Sequence, residues 1–160
     1  MGEIKRVDFQ FKERSGDPGH NVLITSEDDK NEFNSSEAKI AFDNNSNAMS
    51  DGKLALVVGN NSCAISTSER SHAIAYKSGS CAVSTRKISH TIAVGDESKS
   101  VSLGPFSRAE AGENSIAAAL GPNSKVRAGV GSVIILTYYK DGQLCVINAT
   151  VGKDGILPDV

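Results

Sequence analysis

Serine returns every nine residues through the middle of this chain, at 62, 71, 80, 89, 98 and 107, and then at 115, 124 and 132. The two eight-residue steps read as single deletions in turns. Each unit runs Ser-x-small-x-small and then turns, as in Ser71-His-Ala-Ile-Ala75, Ser80-Cys-Ala-Val-Ser84 and Ser89-His-Thr-Ile-Ala93. A weaker copy, Lys53-Leu-Ala-Leu-Val57 followed by Gly59, stands upstream. Self-similarity at a short fixed period marks a stacked array. Gly95, Gly104 and Gly121 fall at turn positions, where glycine accepts positive φ at little cost.

Alternation with a period of two inside each unit predicts a β-strand. Nine residues hold one strand and one corner, so two units are needed to close a coil of eighteen. The residue after serine supports this, because Cys63, His72, Cys81 and His90 return in kind after eighteen. The expected fold class is all-β: a parallel β-solenoid, or β-roll, of nonapeptide repeats with two strands per coil and β caps at both ends. Roughly four coils at about 4.8 Å would make a rod of about 20 Å.

Composition agrees with such a fold. The chain has no Trp and only 5% aromatic residues, so a conventional core of large side chains is not available to it. Charged residues at 22% with a net of −2 lack the self-repulsion of a disordered chain, and they lack the basic excess of a general nucleic-acid or membrane surface. No stretch approaches the roughly 18 apolar residues of a membrane span. The first residues lack the apolar run of a signal peptide, and three cysteines are an odd count for a disulfide framework. A cytoplasmic location is the expectation, or a virion if the protein is structural.

Charge decides which side faces in. The first, third and fifth positions of the units, from Ser62, Ala64 and Ser66 to Ser132, Ile134 and Leu136, carry no charge. The second and fourth include Lys99, Arg108, Glu110, Lys125 and Arg127. A charge without a partner inside a narrow roll costs several kcal/mol, so the small residues should line the interior. Interior serines would then bond to one another or to backbone along the rod. The alternative, from the burial preference of Ile and Val, is that some rungs face the other way.

With small residues inside, apolar side chains point outward. One face carries Ile65, Val83, Val101, Ile116, Leu120, Val133 and Ile135. The other begins with Leu54, Leu56, Ile74, Tyr76, Ile92 and Val94 and turns charged at Arg108, Glu110, Lys125 and Arg127. A continuous apolar stripe is usually covered, so the first face is the candidate interface of a homo-oligomer, a trimer or dimer. His72, His90 and Tyr76 are candidates for a seam between protomers.

The expected divisions are an N-terminal β cap over 1–50, the solenoid over 51–132 and a C-terminal hairpin cap over 133–160. Val7, Phe9 and Phe11 alternate as a strand, residues 15–19 read as a loop, 21–25 as a second strand and 26–34 as a solvated acidic turn. A cap there would protect the open first coil from edge pairing. Val133-Ile-Ile-Leu-Thr-Tyr-Tyr139 is apolar on both faces and should be buried on both. Asp141-Gly142 is a hairpin turn, with 144–151 as the returning strand and a further turn at 152–155 before residues 156–158.

The Ser-x-Ala-x-Ala/Gly rhythm over 53–128 resembles the head domains of trimeric autotransporter adhesins, which are left-handed parallel β-rolls. The C-terminal Gly121-Pro-Asn-Ser-Lys-Val-Arg-Ala-Gly129, then Gly131-Ser-Val-Ile-Ile-Leu136, a hairpin and Gly155-Ile-Leu-Pro-Asp159, is similar to the ending of small repeat proteins of phages, prophages and gut bacteria. That resemblance implies a bacterial or phage intracellular origin and carries over no catalytic residue.

No motif calls for a cofactor. Two Cys and two His are ligand types for zinc, but Cys63 and Cys81 should stand on one face and His72 and His90 on the other, so no metal site is expected within one protomer. Stacked Cys63 and Cys81 are near enough for a disulfide by Cα distance, which a reducing compartment opposes. A hexapeptide acyltransferase would show a six-residue rhythm, and a lyase would show clustered carboxylates. Glu110 between Arg108 and Arg127 reads instead as a solvated ion-pair ladder. Thr67 and Thr85 are too few for an ice-binding row. The expectation is a non-enzymatic, oligomeric scaffold or binding protein of phage or mobile-element origin, offering a rigid surface to a host protein or small ligand. The alternatives are a structural or adhesive module, such as a fibre tip, and an enzyme with a site at a protomer seam.

Overall fold

The computed structural model describes residues 38–42 and 44–152, together with the backbone of 22–25. The sequence expectations for 1–21, 26–34 and 153–160 lie outside the described residues. Among the described residues there is no helix. Strands follow one another as β1 (Val22–Thr25), β2 (Ala38–Ala41), β3 (Asn47–Ser50), β4 (Leu54–Val58), β5 (Cys63–Ser66), β6 (His72–Tyr76) and β7 (Cys81–Ser84). They continue as β8 (His90–Val94), β9 (Lys99–Ser102), β10 (Arg108–Ala111), β11 (Ile116–Ala119), β12 (Lys125–Ala128), β13 (Val133–Lys140) and β14 (Gln143–Thr150).

The strands sort alternately into two seven-stranded sheets. Sheet one runs β1-β2-β4-β6-β8-β10-β12, and sheet two runs β3-β5-β7-β9-β11-β13-β14. Every pairing is parallel except β13 with β14. Successive coils in the centre pair in strict register eighteen residues apart, as in Cys63↔Cys81↔Lys99 and His72↔His90↔Arg108. Late coils shorten to seventeen, Arg108↔Lys125 and Ile116↔Val133, in keeping with the deletions read from the serine spacing. The fold is therefore the expected β-solenoid, with about five coils. It is longer than foreseen because β2 and β3, within the 1–50 stretch assigned to a cap, already belong to the stacked sheets. Seven strands at about 4.8 Å span about 29 Å.

Burial settles the orientation of the rungs. Ala55, Ala73, Thr91 and Ala109 form one interior column of sheet one, and Ala48, Ala64, Ala82, Ser100 and Ala117 form one of sheet two, all fully buried. Ile65, Val83, Val101, Ile74 and Ile92 face outward and are only half-buried. Alanine and serine have too little side chain to hold two sheets apart, so the sheets approach closely. At the central coil a polar pair crosses the interior: the Ser100 hydroxyl donates to Thr91 Oγ1 at 2.9 Å, and the Thr91 hydroxyl lies 3.2 Å from the Arg108 carbonyl. Lys39 departs from the small-residue rule, since it faces inward in register with Ala55 and is 2% exposed.

The repeating serine works as an inter-coil bridge. The Ser115 hydroxyl accepts the Ser98 N–H at 3.0 Å and lies 3.1 Å from the Gly95 carbonyl and 2.7 Å from that of Glu113. Ser107, Ser124 and Ser132 repeat the pattern, accepting the N–H of Ser89, Ser107 and Ser115 and donating to the carbonyls of Arg86, Gly104 and Gly112. The residue just before each of these serines holds a left-handed backbone: Asn61, Arg70, Gly79, Ile88, Glu97, Phe106, Asn114, Asn123 and Gly131. Gly104 and Gly121 do not supply positive φ, as the sequence had suggested. A Cβ at either would stand 2.0 Å from a carbonyl oxygen of the preceding coil, that of Arg86 or Gly104, so they are small for close approach.

The C-terminal hairpin turns at Asp141 and Gly142, both with positive φ, as an Asp-Gly turn requires. The expectation that 133–139 is buried on both faces fails: Val133 and Tyr138 are exposed, Tyr139 is 60% exposed, and only Thr137 is buried. The four-residue β11 can support only Val133 to Leu136, while residues 137–140 pair with β14 alone.

Three substitutions test this packing by denaturant titration and thermal unfolding. Ser115→Ala leaves the buried Ser98 N–H without that acceptor and should cost about 1–3 kcal/mol. Ser84 and Ser102 are fully buried with no partner for their hydroxyls among the described residues, so Ser84→Ala should be neutral or stabilising in the same denaturant titration. Ile88 holds φ 57° with its β-branched side chain 45% exposed. Ile88→Asn should raise the thermal midpoint by relieving about 1 kcal/mol of left-handed strain.

Candidate functional site

With the interior filled by Ala and Ser, the side chains with chemistry stand on the outer faces, in columns set by the register. Sheet two bears three outward columns. The first runs Asn47, Cys63, Cys81, Lys99, Ile116, Val133. The second runs Met49, Ile65, Val83, Val101, Ala118, Ile135. The third lies at the corner, where Leu103 and Leu120 donate their N–H groups to the Ser84 and Ser102 carbonyls of the coil before. The seven residues predicted as an interface thus share one face but occupy three columns. Ile116, Leu120 and Val133 are exposed, and Ile65, Val83, Val101 and Ile135 are half-buried. Sequence reading missed Leu103, Val146 and Leu144, which carry the apolar surface along the corner and out onto the hairpin, and Val146 is 62% exposed. The eighteen-residue step from Thr85 leads to Leu103, so that signal was present.

Sheet one holds the other constellation. His72 and His90 stack with ring centroids 5.8 Å apart and planes tilted by 55°. His90 Nε2 lies 3.1 Å from Glu110 Oε1, and the same oxygen is bonded by Arg108. Tyr76 does not join them. It stands at the far end of β6, four residues and about 13 Å along the strand from His72, in a column with Val58 and Val94. Among the described residues no group of three or more Cys, His, Asp or Glu is placed to hold a metal ion. Cys63 and Cys81 stand on sheet two and His72 and His90 on sheet one, as the spacing implied.

Cys63, Cys81 and Lys99 are the most reactive arrangement on either face. The two thiols are in register on adjacent parallel strands and are both half-buried. The hydrogen bond from Cys63, aided by the Lys99 ammonium next in the column, lowers Cys81 to about 7 against the raising effect of burial. The same bond holds the Cys63 proton, pushing that thiol far above its usual range, with burial acting in the same direction. The two thiols therefore titrate as a pair that gives up its first proton more readily from Cys81. Cys145 lies on β14 at the far edge of the sheet. Lys99 was legible as the next eighteen-residue step after Cys81, although sequence analysis had noted it only as an outward charge.

Because the thiolate is the nucleophile, alkylation of Cys81 by iodoacetamide should rise as pH passes upward through about 7, below the ordinary thiol value of 9.0. Cys63→Ala and Lys99→Ala should each move that profile to higher pH, read by mass spectrometry of the Cys81 peptide. A profile indifferent to both substitutions would contradict the paired titration. Compared with known proteins, the chain matches no family model, no curated protein and no solved structure.

Proposed function

We propose that this protein is a non-enzymatic binding scaffold that self-associates through the outer face of sheet two. The observation that supports this reading is the apolar surface formed by Val101, Leu103, Ile116, Leu120, Val133 and Ile135 and carried onto the exposed hairpin by Leu144 and Val146. A small-residue interior displaces large apolar side chains to the outside, and a stripe of that extent is ordinarily covered. The occupant that fits is a second copy of this chain. Within its three columns Lys99 is the sole charged residue of the strands from β5 to β13, and two sheet faces pack at about 10 Å.

Self-association leaves the outer face of sheet one to meet another molecule. It grades from Leu56, Ile74 and Ile92 to Glu110 and Arg127 along a single column. An outward sheet face of this kind suits a partner protein better than a small ligand, whose sites are concave. The C-terminal resemblance to phage-borne and prophage-borne repeat proteins fits a host protein as that partner.

Sedimentation equilibrium tests the reading. The wild type should show a multiple of 16.8 kDa, and Val101→Glu or Ile135→Glu should each return the mass to that of one chain with an unchanged far-UV spectrum. A wild type that stays at one chain across concentration, or an assembly indifferent to both charges, sinks the proposal.

A further inference from the structure

We propose that Cys63 and Cys81 form a hydroperoxide-responsive dithiol site on the outer face of sheet two, with Cys81 the attacking sulfur and Cys63 the resolving one. This inference stands on the thiol pair and does not depend on self-association, though both concern the same face.

The geometry supplies each requirement. Cys63 and Cys81 pair directly across β5 and β7, and parallel neighbours about 4.8 Å apart fall within the roughly 4.4–6.8 Å between Cα atoms that a disulfide spans. Their side chains leave the same face of the sheet, one directly above the other along the rod. Both side chains are half-buried and so remain open to a small solute. Lys99, next in the column, places a cation beside the sulfur that must carry negative charge. A solvent-accessible thiolate beside a second thiol is the arrangement on which peroxide oxidation stops reversibly. The third cysteine, on β14, is separated from β7 by β9, β11 and β13.

The reaction balances as two displacements. The Cys81 thiolate, its proton already given to solvent, attacks the hydroxyl oxygen of the hydroperoxide, the O–O bond breaks, and the departing alkoxide or hydroxide takes that proton back from solvent. Cys81 is now a sulfenic acid, and the peroxide has accepted two electrons. Cys63 then attacks the Cys81 sulfur, forming the S–S bond as the S–O bond breaks. The hydroxyl leaves as water with the Cys63 proton. Two thiols and one hydroperoxide thus give one disulfide, one alcohol or water, and one water. Parallel in-register strands aim both side chains the same way, so the bridge forms under strain and dithiols reduce it readily. Its effect on the fold is to staple two consecutive coils of sheet two along the rod axis.

The test treats reduced wild type and Ile135→Glu with equimolar hydrogen peroxide and maps disulfides by non-reducing peptide mass spectrometry. Ile135 lies in the neighbouring column on β13, so its charge opens the face without touching the thiols. A Cys63–Cys81 peptide in either protein, lighter by two hydrogens and restored by dithiothreitol, supports the site. Cys63→Ala, or Cys63→Ser if the alanine variant fails to fold, should halt at a sulfenic acid on Cys81 that dimedone traps. Lys99→Ala should slow bridge formation several-fold at pH 7. Absence of the bridge from both proteins overturns the proposal whatever their masses in solution, as does dimedone labelling of Cys145 as fast as Cys81.

Discussion

From Ser80 onward, a serine hydroxyl at the corner joins each coil to the one before it. From Ser107 onward the serine oxygen also accepts the N–H of the serine one coil upstream, as Ser124 accepts from Ser107 while donating to the Gly104 carbonyl. Corners are where a parallel solenoid leaves backbone groups without ladder partners, and buried groups of that kind need partners. No other side chain is both short enough to stay inside the corner and able to give and take a hydrogen bond, apart from threonine with its extra methyl. The rest follows. Because the corner is tight, the sheets are close; because they are close, the interior takes alanine; because the interior takes alanine, larger apolar groups are left outside.

That sequence of constraints explains why chemistry in this protein is a matter of columns. A globular fold gathers distant residues into a pocket, whereas a solenoid lines up residues that sit one coil apart. His72 meets His90, and Cys81 meets Cys63 and Lys99, because the register is strict, without any loop having to bring them together. Reactive groups then meet as stacked neighbours on an open surface. Such a surface suits partner binding and thiol chemistry with small solutes better than reactions that need water excluded.

Much of this was legible in the residues. The serine period dictates coil length, and the absence of charge at alternate positions dictates which side faces in. Asp141-Gly142 is a turn that its two residue types specify by themselves. What escaped reading has a common cause, namely that it depends on where one coil lies over another. Gly104 and Gly121 look like positive-φ glycines, yet their smallness serves the carbonyl beneath. The left-handed site before each serine is filled at Arg70, Ile88, Glu97 and Phe106 by residues that do not favour it, so no local preference reveals it. Lys39 faces inward on β2, upstream of the clear repeat, where the spacing offered no register to place it.

The serine bridges also share a direction. From Ser80 to Ser132, the hydroxyl of the later coil reaches back to a carbonyl of the earlier one. The two ends of the stack are therefore unlike. An upstream coil presents amides and carbonyls already set at the spacing that the next serine requires, and that serine is the next to leave the ribosome. Each completed turn is a template for its successor, so the order of synthesis and the order of stabilisation coincide. The molecule can be assembled in the manner of a thread wound onto a spool, with every new turn held by the last.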